Sequence, residues 1–137
     1  MRKILTIVLL SMFSNIALCQ SVLDTGEFAV VHVDGHVTNK VFRVINQDDK
    51  WRVEDKKDNG KWEDVTCEVD CILSKSKPEH IAEFFHNQFP QNTEIECVHN
   101  QAFAFCSLLK NSAKTSVLVA FTPQAPIHVK LKKISME

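Results

Sequence analysis

A chain of 137 residues with 16 basic and 17 acidic side chains has room for one modest domain and carries almost no net charge. Removal of an N-terminal leader with Arg2 and Lys3 leaves 14 basic against 17 acidic residues, a net charge of −3. That balance argues against nucleic acid as a partner, because cationic contacts supply most of the affinity for it. The three glycines, Gly26, Gly35 and Gly60, are isolated from one another, which excludes a glycine-rich phosphate loop.

The opening, MRKILTIVLLSMFSNIALCQS, joins a basic pair to an apolar run, Ile4 to Phe13, and then to the small-x-small pattern Ala17-Leu18-Cys19. This layout predicts a secretory signal peptide over 1–19 and a single domain over 20–137. Ser11, Ser14 and Asn15 interrupt the apolar run too early for a span of ~20 residues. No membrane span is expected after signal cleavage. Lipidation of Cys19 is disfavoured by the bulky Leu18 before it. The expected location is periplasmic or secreted.

The first predicted element is a hairpin in FAVVHVDGHVTNKVFRVI, turning at Asp34-Gly35 between β-branched runs. A two-residue turn there pairs His32 with Val37 and Val33 with His36. His32 and His36 then point to opposite sides of the sheet, so no metal site is expected from them. In KWRVEDKKDNGKWEDV, Trp51 and Val53 alternate with Arg52 and Glu54, as in a half-buried strand. Asn59-Gly60 is a second turn signal, and Lys61 to Val69 is expected to return as a strand. Asp48 to Asp70 holds nine acidic and five basic residues. Trp62, Trp51, Asp58, Glu63 and Asp64 are the candidate partner-binding residues, facing a protein of basic or mixed charge. Tryptophan is enriched at the anchoring points of interfaces.

SKSKPEHIAEFFHNQFP carries the one predicted helix. Ser76 and Glu79 have capping-box spacing, Pro78 suits the first turn, and Ile81, Phe84, Phe85 and Phe89 form one apolar stripe before Pro90. His80 and His86 flank that stripe and are expected to face solvent. Beyond it, Ala102 to Leu109 is apolar on both parities, as in a strand covered on both faces, and Val117 to Phe121 is similar. Ile127, Val129 and Leu131 alternate with His128, Lys130 and Lys132, which suits a half-exposed strand whose lysines guard an edge. The fold class expected from these elements is α+β: an antiparallel sheet of about six or seven strands with one amphipathic helix packed across a face.

Without Cys19, four cysteines remain: Cys67, Cys71, Cys97 and Cys106. An even number in an exported chain reads as disulfides, and four allow three pairings. The local pairs are favoured. Cys97 and Cys106 face each other across a hairpin turning at Asn100 to Phe103, in which paired positions sum to 203. Cys67 and Cys71 would close a small loop. The spacing suits neither a Cys-x-x-Cys redox motif nor two tight zinc-binding pairs. No cofactor and no metal are expected.

The chain has no Gly-x-Ser-x-Gly elbow, no His-Glu-x-x-His and no tyrosine. The expected function is therefore binding rather than catalysis: an exported inhibitor or immunity protein that acts by protein–protein interaction against a toxin or cell-envelope hydrolase. The competing expectation is a small-ligand or accessory domain with an apolar pocket under the helix, lined by phenylalanines.

Overall fold

The computed structural model describes residues 21–65, 72–88 and 91–135. Nine strands run in chain order: β1 (Gly26–Val31), β2 (Val37–Gln47), β3 (Lys50–Lys56), β4 (Trp62–Asp64), β5 (Ser74–Lys75), β6 (Thr93–His99), β7 (Phe103–Lys110), β8 (Ala113–Ala120) and β9 (Ile127–Ser135). The helix α1 (Pro78–Phe84) follows β5. Every pairing is antiparallel, in the order β4-β3-β2-β1-β9-β8-β7-β6-β5. β9 lies against β1 and joins the two ends of the chain. Leu73, just before β5, bridges Trp51 of β3, its N–H donating to the Trp51 carbonyl at 2.8 Å. That bridge brings the sheet round on itself as a barrel.

This corrects the expected α+β class. The described residues are mostly β, with nine strands instead of six or seven and one helix of only seven residues. β5 has two residues, too few for a period-2 pattern to register, and of the strand expected over Lys61 to Val69 the described residues form β4, Trp62–Asp64. The helix stops at Phe84, because His86 and Asn87 take left-handed φ values of 52° and 58° and turn the chain before the stripe is complete. Its N-cap is Lys77, whose N–H donates to Nδ1 of His80 at 3.2 Å, and Ser76 is not the cap. Phe89 and Pro90 lie outside the described residues.

Alternation along the strands separates two apolar clusters. The barrel interior holds Phe28, Val44, Trp51, Val53, Leu73, Val98, Phe103, Phe105, Leu118 and Leu131. The rings of Phe28 and Phe105 meet at 5.4 Å. Each fully buried side chain of this size contributes about 1.5–3 kcal/mol. On the outside, α1 lies over β6–β8, where Phe84 clusters with Cys97, Ala104, Cys106 and Val119. β7 is thus covered on both faces, as its sequence implies. β9 is central, between β1 and β8, and does not guard an edge. Its lysine row is the solvated outside of a closed sheet, a pattern that alternation alone cannot tell from an edge strand.

The cysteine hairpin follows the expected register. Cys97 pairs with Cys106 and His99 with Ala104, and the disulfide joins two buried cysteines with Cα atoms 4.2 Å apart. Cys67 and Cys71, and the segment 1–19 expected to be a signal peptide, lie outside the described residues.

Candidate functional site

The β1–β2 hairpin departs from expectation by one residue. Val31 pairs with Val37, the His32 N–H donates to the His36 carbonyl at 2.9 Å, and the Gly35 N–H donates to the His32 carbonyl at 2.9 Å. The loop therefore has three residues, Val33, Asp34 and Gly35. A two-residue turn of the type Asp-Gly favours needs positive φ at both positions. Here Gly35 alone takes it, at 96°, where a side chain would be strained. Asp34 instead accepts the His36 N–H at 3.0 Å. Asn59-Gly60 behaves alike: the Lys57 N–H donates to the Lys61 carbonyl at 2.8 Å across the loop, and Gly60 has φ 81°.

A one-residue slip reverses which side chains share a face. His32 and His36 are cross-strand neighbours, with rings stacked 4.9 Å apart. Asp34 Oδ1 lies 2.5 Å from His36 Nδ1 and 3.2 Å from His32 Nδ1. The bonds from the His36 backbone and ring hold the Asp34 carboxyl below the usual carboxylate range. All three residues are exposed.

The candidate partner-binding residues are divided by the sheet. Trp51 lies in the barrel interior with 5% of its surface exposed, so it cannot anchor a partner. Trp62 pairs with Lys56 in the three-residue β4, on the opposite, outer face. Its ring is half-buried, with the Arg43 guanidinium 4.4 Å and the Lys56 ammonium 5.7 Å from the centroid. Arg43 also binds Glu54 through Nε at 3.1 Å and Nη2 at 2.8 Å. Asp64 shares this face and lies 3.5 Å from Arg52. Glu63 alternates to the other side, 3.8 Å from Lys57, and Asp58 sits in the exposed turn. Trp62 and Asp64 are thus brought together, with Arg43, Glu54, Arg52 and Lys56, none of which the composition of the acidic stretch singles out. An open depression of about 380 Å³ adjoins this face, lined by Thr25 and residues 43–46 of β2.

Two further polar groups are accounted for by the fold. Asp55, 7% exposed, lies on the interior face near the end of β3, bound by Lys40 at 2.8 Å and Lys57 at 3.0 Å. Burial raises its carboxyl pKa, but the bonds from the two lysines outweigh that and hold it below the usual range. Ser76 Oγ lies 2.6 Å from Nδ1 of His99, whose ring stands against those of His80 and Phe84. Burial and the nearby His80 lower the His99 pKa, which favours a neutral ring that fastens the start of α1 to β6. His80 is accordingly half-buried, its ring tilted 58° against that of His99, while His86 is exposed as expected. At the other end of α1, His128 Nε2 bonds the Phe84 carbonyl at 2.7 Å.

These features define a small antiparallel barrel whose interior is occupied by its own side chains and whose distinctive chemistry is on the outside. Comparison with protein-family models, with curated proteins and with solved structures yields no match. The functional reading therefore rests on this chain's own residues.

Proposed function

We propose that this is an exported binding domain whose contact surface is the outer face of β2–β3–β4 around Trp62. The observation that carries the reading is the placement of Trp62: a large aromatic held on a rigid sheet, in solvent reach, among charged groups already paired with one another. Such a surface loses little side-chain entropy on docking. The ion pairs fix the direction of Arg43 and Arg52, so charged groups around the anchor are aimed before a partner arrives.

The partner is a protein of basic or mixed charge, received by the exposed Asp64 on this face and by Asp58 in the adjoining turn. Inhibition of a toxin or cell-envelope hydrolase outside the cytosol suits a rigid, disulfide-bonded domain of this kind. The Cys97–Cys106 bridge supports an oxidising compartment, periplasmic or secreted. Within the described residues no helix is long and apolar enough to cross a membrane. A ligand pocket under the helix has no comparable support, since Phe84 packs directly against the disulfide and its neighbours.

The test uses the immobilised mature chain, Trp62→Ala and Lys130→Ala, the last altered on the exposed face of β9. A protein retained by wild type is purified and its Kd measured by calorimetry. An anchoring tryptophan contributes about 2 kcal/mol or more, so Trp62→Ala should weaken binding by about thirtyfold while Lys130→Ala leaves it unchanged. Equal affinity for wild type and Trp62→Ala would remove this face from the interaction.

A further inference from the structure

We propose that the tip of the β1–β2 hairpin is a binding site for a divalent first-row transition-metal ion, with His32, Asp34 and His36 as its ligands. The site is separate from the Trp62 face and does not depend on it. Its basis is the register. Because the loop has three residues, the two imidazoles stand side by side on one face, and the side chain of the central residue folds back between them. One ligand atom from each residue lies within 4.8 Å of the other two.

The donor set has a clear preference. Two imidazoles and one carboxylate suit zinc, copper or nickel, whereas calcium and magnesium prefer sites built wholly of oxygen. Bonds of about 2.0–2.1 Å to a tetrahedral ion place ligand atoms roughly 3.4 Å apart. The Asp34–His32 separation of 3.2 Å is already close to that spacing, and the Asp34–His36 contact of 2.5 Å must open to reach it. All three side chains are exposed and free to make that adjustment by rotation.

The backbone is prepared for this role. The hydrogen bonds 32–36 and 35–32 hold both strands at the tip, so the two histidines need no folding step to converge. Three protein ligands leave at least one coordination position open to water or to a donor from another molecule. Val33, at the apex, is 98% exposed and does not obstruct that position with a packed side chain.

The experiment is calorimetric titration of the untagged, chelator-treated mature chain with copper, zinc and nickel chlorides at pH 7.4. One equivalent should bind, copper most tightly, in keeping with the general order of divalent-ion affinities. His32→Gln and His36→Gln should each weaken binding by at least about tenfold, and the double variant should abolish it. Asp34→Asn keeps an oxygen to accept the His36 N–H but removes the charge, and should also weaken binding. His80→Ala, altered in the other histidine pair, should bind as wild type does. Lowering the pH to 5.5 should weaken the site, because protons compete for both imidazoles. A second readout is independent of heat: copper should broaden the amide resonances of residues 31–37 first. The proposal is overturned by the absence of saturable binding, by equal affinity in the double histidine variant, or by broadening centred on His80 and His99.

Discussion

Replacing both Cys97 and Cys106 by alanine perturbs the barrel where the outer cluster meets the sheet. The bridge closes a sequence separation of 9, for which loop-closure entropy gives about 2.6 kcal/mol of stabilisation. Some of that is offset, because the 97–106 hairpin is local and its ends stay near each other in the unfolded chain. The double substitution also removes two buried sulfurs beneath Phe84, leaving small voids. The two corrections oppose one another, so the expected loss is about 2–3 kcal/mol, a large share of the roughly 5–15 kcal/mol of a typical domain. Urea unfolding followed by circular dichroism measures it. The midpoint should fall, and the melting temperature should drop by about 10 °C. Chemical reduction of wild type is a less specific perturbation, since it acts on every disulfide in the chain. A loss below about 0.5 kcal/mol in the double variant would refute the reasoning.

Three further outcomes separate the roles assigned to particular residues. Trp51→Ala should cost about 3–5 kcal/mol as a core deletion, whereas Trp62→Ala should cost under about 1 kcal/mol; acrylamide should quench the fluorescence of Trp62 and spare that of Trp51. Asp55 has a folded pKa below its unfolded value, so its stabilisation is present above the unfolded pKa and is lost as pH falls through the folded one. Asp55→Asn should therefore lower stability at neutral pH and flatten the acid limb of the stability curve. Gly35→Ala should destabilise by about 1–2 kcal/mol, because alanine is strained at φ 96° although nothing crowds its Cβ.

Parts of this architecture were legible from residue pattern alone, and the reasons differ by element. The Cys97–Cys106 register was readable because a turn at Asn100 to Phe103 pairs positions that sum to 203, which sets the two cysteines opposite each other. β7 was readable because its apolar residues occupy both parities, and a strand covered on both faces has that pattern. The β1–β2 register was off by one, because Asp-Gly serves both a two-residue and a three-residue loop and only the φ at Asp34 distinguishes them. That single residue decided whether His32 and His36 met. Two more reversals, at Asp48-Asp49 and Asn111-Ser112, reach positive φ at both central positions without glycine, so the usual turn signature is missing. Trp51 and Trp62 have similar polar neighbours in sequence. Their difference in burial arises from the facing strands, which local pattern does not contain.

The outward-facing Trp62 surface is tested most directly by site-specific photocrosslinking in the producing cell. A photoreactive side chain replaces Asp64, beside Trp62 on the outer face, or Lys130, on the exposed face of β9. Position 64 should yield one discrete cross-linked protein, lost when Trp62→Ala is added, and position 130 should yield none. A cross-link from position 130 alone, or one from position 64 that persists in Trp62→Ala, would contradict the assignment.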